Sequence, residues 1–222
     1  GGPGSGKPPL LYLLDRLYPL SPENGRIEIG GVDIADISSD WLRRNIGMVL
    51  QEPFLFSRTL EENIAIASGQ EPEDGKDGEH SRLARVRSAA RIARLDETIT
   101  HFAKGYDTFV GERGVPLSGG QKQRTAIAQM LIRKPPVMVF DDSLSAVDAE
   151  TDAEIRRALR ENVGSATVIL IAHRLTTLMH ADQILVMDQG RLVQRGTHEE
   201  LLAQDGIYRQ IYDLQVRQSG SR

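Results

Sequence analysis

The chain of 222 residues carries a net charge of −4, is 40% hydrophobic and 26% charged, and holds five His and no Cys. That length suits one sizeable domain with room for a subdomain and a real core, while the acidic balance gives a nucleic-acid partner no support. Without Cys there is neither a disulfide framework nor a thiolate metal site, and no apolar run approaches the roughly 18 to 20 residues of a membrane helix.

The chain opens on Gly1-Gly2-Pro3-Gly4-Ser5-Gly6-Lys7-Pro8-Pro9. Gly1, Gly6 and Lys7 fit the phosphate-loop pattern G-x-x-x-x-G-K-[ST] up to its last position, where Pro8 replaces the hydroxyl residue that would hold Mg²⁺. Glycines let backbone N–H groups wrap closely around phosphates, and Lys7 adds a point charge. The same residues also suit a Gly/Pro-rich terminus. A phosphate loop follows a strand that aims it. No strand precedes Gly1, so the chain is expected to be a piece of a longer polypeptide whose N-terminal strands are missing.

Leu10, Leu11, Leu13, Leu14 and Leu17 recur at helical spacing, predicting a helix that opens from the loop and ends near Tyr18-Pro19. Lys7 and Pro8 each precede a proline, which biases both away from helical geometry. Arg26 to Gly30 alternates like a strand, and Ser39 or Asp40 caps a short helix around Trp41 to Arg44. Ile46 to Leu50 is an apolar strand followed at once by Gln51. Arg58 to Ala67 reads as helix, Gly69 to His80 as an exposed, mobile polar loop, and Ser81 to Ile99 as helix. Leu117-Ser118-Gly119-Gly120-Gln121 precedes a helix over Lys122 to Ile132, stopped by Pro135-Pro136.

Val137 to Phe140 is a buried-strand run ending in Asp141-Asp142, Val147 to Asn162 is helical, and Thr167 to Ile171 is a second buried strand ending near His173. Gln183 to Met187 and Arg191 to Gln194 pair as strands, and His198 to Val216 is helical. Strands alternating with helices predict an α/β fold with a mostly parallel sheet and helices on both faces. The nearly all-helical interval after Gln51 reads as an insertion, giving a core of 1–51 and 136–222 and a helical subdomain of 52–135.

Asp141 ends an apolar strand downstream of a phosphate loop, where such an acid holds Mg²⁺. Asp142 sits where a base or water-orienting residue stands, and it also fits a solvated or helix-capping neighbour. Gln51 and His173 both follow strand ends, within reach of a metal, a water or a γ-phosphate. No two His have zinc-motif spacing, so a zinc site is discounted. Ser118, Gly119, Gly120 and Gln121 at a helix start offer free N–H groups and a positive dipole end, a surface for phosphate. An ordinary N-cap explains Ser118 but not the whole string.

The string Leu117-Ser118-Gly119-Gly120-Gln121-Lys122-Gln123-Arg124 resembles the signature motif of ATP-binding cassette (ABC) proteins, and the other marks fall in the family's order. These are the phosphate loop from Gly1 to Lys7, the Q-loop at Gln51, the Walker B strand ending at Asp141, the D-loop Ser145-Ala146-Val147-Asp148, and the switch histidine His173. Val110-Gly111-Glu112-Arg113-Gly114 and Phe54 to Ile64 resemble segments of exporters, the first being the loop that meets the membrane domain's coupling helices. The resemblance spans essentially the whole chain.

It implies a P-loop NTPase (RecA-like) core with a helical subdomain, ATP and Mg²⁺ as ligands, and ATP hydrolysis that drives efflux. It also implies a place at the cytoplasmic face of the plasma membrane, beside a transmembrane domain and a second cassette arranged head to tail. Lys7, Gly1, Gly2, Gly4, Ser5, Gly6, Pro8 and Pro9 then line the chain's own cradle. Gln51 and Asp141 attend the metal, Asp142 and His173 the chemistry, and Ser118 to Gln121 the partner's nucleotide.

Two departures are specific to this chain. Asp142 stands where an active member has Glu, shorter by about 1.5 Å of reach, and a displacement near 1 Å at a reacting centre costs roughly 10²-fold. Pro8-Pro9 removes a hydroxyl and two backbone donors. Both imply the degenerate-site half of a heterodimeric exporter. The alternatives are a non-hydrolysing regulatory subunit that completes a partner's site, and a soluble ABC ATPase acting on nucleic acid.

Overall fold

The computed structural model describes residues 7–68, 75–112, 114–142, 147–172 and 174–219. In chain order these form α1 (Lys7–Leu14), β1 (Glu28–Ile29), β2 (Val32–Asp33), α2 (Ser39–Asn45), β3 (Ile46–Val49), β4 (Arg58–Thr59), α3 (Leu60–Ala65), α4 (Gly75–Ile92) and α5 (Asp96–Thr100). There follow β5 (Phe109–Val110), α6 (Gly119–Leu131), β6 (Val137–Asp141), α7 (Ala149–Asn162), β7 (Thr167–Ile171), α8 (Leu175–Leu178), β8 (Ile184–Asp188), β9 (Arg191–Gly196), α9 (His198–Leu202) and α10 (Ile207–Ser219).

Two compact units result: one of the described residues up to Ser38 and from Ile171 onward, the other Ser39–Leu170. The second is built on the sheet β3-β6-β7, with β3 parallel to β6 in the register Ile46↔Val137 through Val49↔Phe140. The apolar runs of β3 and β6 need cover on both faces, whereas β7, expected as a buried strand, lies at the sheet edge with Thr167, Val168 and Ile169 exposed. Val49, Met138 and Phe140 join one core with Ile127, Met130 and Leu131 of α6 and Ile155 and Leu159 of α7. Helix α6 comes close to β3 because Gly47 has no side chain: a Cβ there would lie 2.5 Å from Met130 Cγ and 2.7 Å from Pro135 Cγ. The first unit holds a smaller core of Leu175, Ile184, Val186, Leu201 and Tyr208 around the β8–β9 hairpin. This is the α/β architecture the sequence implies.

The structure differs from the sequence reading at several boundaries. Helix α1 includes Lys7, Pro8 and Pro9 and stops at Leu14; first-turn N–H groups have no intrahelical acceptor, so proline loses nothing there. The strand expected over Arg26 to Gly30 shrinks to Glu28–Ile29, paired antiparallel with Val32–Asp33. The helix expected from Arg58 begins at Leu60, because Thr59 is its N-cap in a capping box with Glu62. Residues 75–80, expected in a loop, are helical, since extending the Ser81 helix backwards adds one hydrogen bond per residue; residues 69–74 lie outside the described residues. The helix expected to run to Ile99 breaks after Ile92, with Arg94 at φ 53°, before α5 begins. The C-terminal helix is likewise two, α9 and α10.

Candidate functional site

The signature stretch is the best-defined candidate. Leu117 is buried in the main core and anchors it. Ser118 is the N-cap of α6: its Oγ accepts the Gln121 N–H at 3.2 Å, and the Ser118 N–H donates to Gln121 Oε1 at 2.9 Å. Lys122 N–H makes the first helical bond, to the Ser118 carbonyl at 2.9 Å. Gly119 and Gly120 thus keep N–H groups with no intrahelical acceptor. Neither has a positive φ, so the backbone does not demand glycine there. Helices α2, α3, α5, α7 and α9 carry acids in their first turns, whereas α6, like α1, α8 and α10, carries none. No carboxylate of its own first turn therefore offsets the positive end of α6.

Gln51 lies two residues beyond β3, and Asp141 ends β6. Because β3 and β6 run parallel, Gln51 and Asp141-Asp142 leave the same end of the sheet. Asp141 is buried, at 6% exposure, and Asp142 sits at φ 44°, a left-handed conformation that Asp tolerates better than most residues. A D-loop residue, Asp148, caps α7 by accepting the Thr151 N–H at 2.9 Å, and that bond holds its carboxyl below the usual carboxylate range. Asp148 also faces Arg124, whose guanidinium is drawn below its ordinary range by burial, against the pull of that carboxylate.

Lys7, Pro8 and Pro9 form the first turn of α1. Gly1, Gly2, Gly4, Ser5, Gly6 and His173 lie outside the described residues, as do Arg113, Ser145 and Ala146.

Among the described residues no group of three or more His, Cys, Asp or Glu is placed to hold a metal. Mg²⁺ at a nucleotide needs no such cage, because one or two carboxylates and the phosphates suffice. Asp141, a hard-oxygen donor at the sheet end from which Gln51 also leaves, fits that requirement, whereas Pro8 supplies no ligand.

The structure joins the two exporter-like segments. Arg58 and Thr59 pair antiparallel with Val110 and Phe109. Gly111, at φ 96°, lies so close to Phe56 and Ser57 that a Cβ would come within 2.9 Å of Ser57 Cα; at Gly114 it would come within 2.4 Å of the Phe109 carbonyl oxygen. Both positions need glycine. Asn63, fully buried, holds the neighbouring turn through its side-chain amide. Its Oδ1 accepts the Phe56 N–H at 2.9 Å, and its Nδ2 donates to the Phe56 and Thr59 carbonyls, each at 3.0 Å. Phe54 and Phe56 stand exposed beside it, edge to face at 5.2 Å.

Two buried amides, Asn63 and Gln123, escaped the sequence reading. Each is a polar residue on a helix stripe whose neighbours, Leu60 and Ile64 or Ile127 and Met130, are buried. That interruption of an apolar face was the available signal.

The family model for the ABC transporter matches residues 1–145. An uncharacterized ABC transporter ATP-binding protein, YfiB of Bacillus subtilis, is 45% identical over 221 residues, covering 100% of this chain and 36% of the relative. The toxin RTX-I translocation ATP-binding protein of Actinobacillus pleuropneumoniae is 42% identical over 216 residues, covering 97% of this chain and 29% of the relative. A bacterial Atm1-family ABC exporter solved with ATP bound superposes with a TM-score of 0.86 at 41% identity, covering 97% of this chain and 36% of that one. The chain thus spans about a third of the length of these relatives. By the family model and these relatives, it belongs to the ABC transporter family as an ATP-binding, ATPase domain of the exporter type.

Proposed function

We propose that this domain powers efflux as the motor of a longer polypeptide or subunit set, pairing head to tail with a second, non-identical cassette at the cytoplasmic face of the plasma membrane. The observation that carries the reading is the exposed, acid-free start of α6, where Gly119 and Gly120 offer two N–H groups that the fold itself does not use. A head-to-tail partner supplies the phosphates they lack, so Ser118 to Gln121 serve the partner's ATP. The β4–β5 pair and the exposed Phe54 and Phe56 supply a surface for the membrane domain.

In the chain's own site, Lys7 and the backbone of Gly1, Gly2, Gly4, Ser5 and Gly6 cradle phosphates, and Asp141 with Gln51 holds Mg²⁺. Held there, the ion would supply positive charge against the negative charge of the phosphates. Gln51 also orients the attacking water, Asp142 is the shortened base, and His173 steadies the γ-phosphate. Two donors are lost at Pro8-Pro9, each worth roughly 1.5–3 kcal/mol in a charge-assisted bond. With Asp142 this makes the site slow. The core comprises 1–51 and 136–222 and the helical subdomain 52–135, a division supported by the described residues from β4 to α6, whose two strands, β4 and β5, are each two residues long.

Single-turnover hydrolysis by the paired transporter tests the proposal. Residual hydrolysis that depends on Asp142, after the partner's catalytic acid is removed, is the expected result. No residual turnover assigns the chain to the regulatory role, which Pro8 and Asp142 also favour. A parent gene without membrane-spanning segments, together with nucleic-acid-stimulated turnover, would replace export by the soluble reading.

A further inference from the structure

Gln123 is a polar side chain buried within the protein. Helix α6 turns Ile127, Met130 and Leu131 into the main core, and Gln123 enters the same interior at 2% exposure. A buried amide must find partners. The Nε2 of Gln123 donates to the backbone carbonyl of Gln51 at 3.1 Å, across 72 residues of sequence. Gln51 is itself exposed and stands two residues past β3. The donor lies one turn into the helix whose first residues are Gly119 and Gly120, and that turn is tightened by Thr125 Oγ1 donating to the Gln121 carbonyl at 2.8 Å. Beside the packing of α6 on β3, this bond ties the backbone of Gln51 directly to the helix that begins at Gly119, bypassing the intervening helical segment.

We propose that Gln123 is a positioning residue for ATP hydrolysis. Its amide fixes the backbone of Gln51 to α6, so that the Gln51 side chain is presented to metal and water only in the stance the signature helix sets. The proposal rests on the reading of Gln51 as a metal and water contact. It makes the residue that serves this chain's nucleotide and the helix that serves the partner's parts of one rigid piece.

The test uses the complete transporter with its partner cassette in lipid vesicles. Gln123→Met keeps length and volume but removes the donor, and Gln123→Asn keeps the amide but withdraws it by one methylene. Either variant is expected to lower kcat for ATP about 5- to 10-fold while KM moves less than about twofold. In a Gln51→Ala background the same change is expected to cost less than about twofold, because the tether has nothing left to aim. Amide hydrogen exchange at residues 51 and 52 is expected to speed up, with residues 46–49 of β3 unchanged.

Equal losses in both backgrounds, or unchanged exchange at residues 51 and 52, overturn the proposal and leave Gln123 a satisfied core amide. A parent transporter that hydrolyses no ATP, or one indifferent to Gln51→Ala, instead removes the reading of Gln51. The exchange measurement then still decides the tether. If the Met variant does not fold, the Asn variant supplies each of these readouts.

Discussion

Two helices of this protein start where a phosphate is expected, and they start differently. Helix α6 begins Gly119-Gly120-Gln121, and α1 begins Lys7-Pro8-Pro9. Neither has an acid in its first turn, so the helix field favours an anion at both. The difference lies in the donors. Every first-turn residue of α6 keeps its N–H, while two of the first three in α1 have none. The fold accepts both arrangements, because first-turn N–H groups have no intrahelical acceptor in any case. Stability therefore does not choose between them. Only a ligand would distinguish the two ends, and by its donors α6 is expected to hold one better than α1.

A charge placed at the start of α6 has the largest expected effect. Gly119→Asp is expected to lower ATP hydrolysis by the assembled transporter about 10²- to 10³-fold, roughly 2.7–4 kcal/mol of barrier. Lys7→Ala is expected to cost about tenfold or less, since its cradle already lacks donors. Steady-state ATPase rates measure both, and equal or reversed losses would break the contrast.

Restoring α1 sharpens the contrast from the other side. Pro8→Thr combined with Asp142→Glu is expected to tighten MgATP binding at this chain's site about tenfold, close to one regained hydrogen bond. Calorimetric titration with the partner's site silenced reads the change, and an unaltered affinity would mean that the prolines are not what weakens the cradle.

Smaller effects separate ligand from fold. Gly120→Ala is expected to stabilise the domain by up to about 1 kcal/mol while lowering the ATPase rate, so denaturation midpoint and activity move in opposite directions. Movement in the same direction would make Gly120 a structural glycine.

The smallest expected effect concerns Asp148. Its folded pKa is depressed by the Thr151 N–H, so its contribution is present above the ordinary aspartate range, about 3.9, and is lost as pH falls through the depressed value. Asp148→Asn keeps the cap without the titration. Below that range the unfolding temperature of the parent is expected to fall more steeply than that of Asp148→Asn. Parallel curves would show that the cap does not titrate.

What the chain revealed in advance follows from how local each signal is. The strands Val137–Asp141 and Thr167–Ile171 were legible because short apolar runs bounded by turns have few alternatives, although only the first is buried: Thr167, Val168 and Ile169 are exposed. The signature end was legible because Ser118, the two glycines and Gln121 are contiguous. The start of α3 was written as Thr59-x-x-Glu62, a capping box, yet helical periodicity masked it. Residues 75–80 misled because composition describes a segment by itself, whereas a helix already formed downstream extends into it. The link from Gln123 to Gln51 was out of reach. Nothing near either residue in sequence states which carbonyl an amide 72 positions away will meet.

Asn63 has a consequence beyond holding a turn. It saturates both backbone groups of Phe56 from a position with no solvent exposure, and Phe56 in turn sits edge to face against Phe54. The two rings, 68% and 43% exposed for Phe54 and Phe56, are therefore presented on a backbone whose freedom was given up when the domain folded. A surface that covers them recovers the burial of two aromatic side chains with little further loss of chain entropy. Releasing the Asn63 clamp would raise that entropic cost without touching either ring.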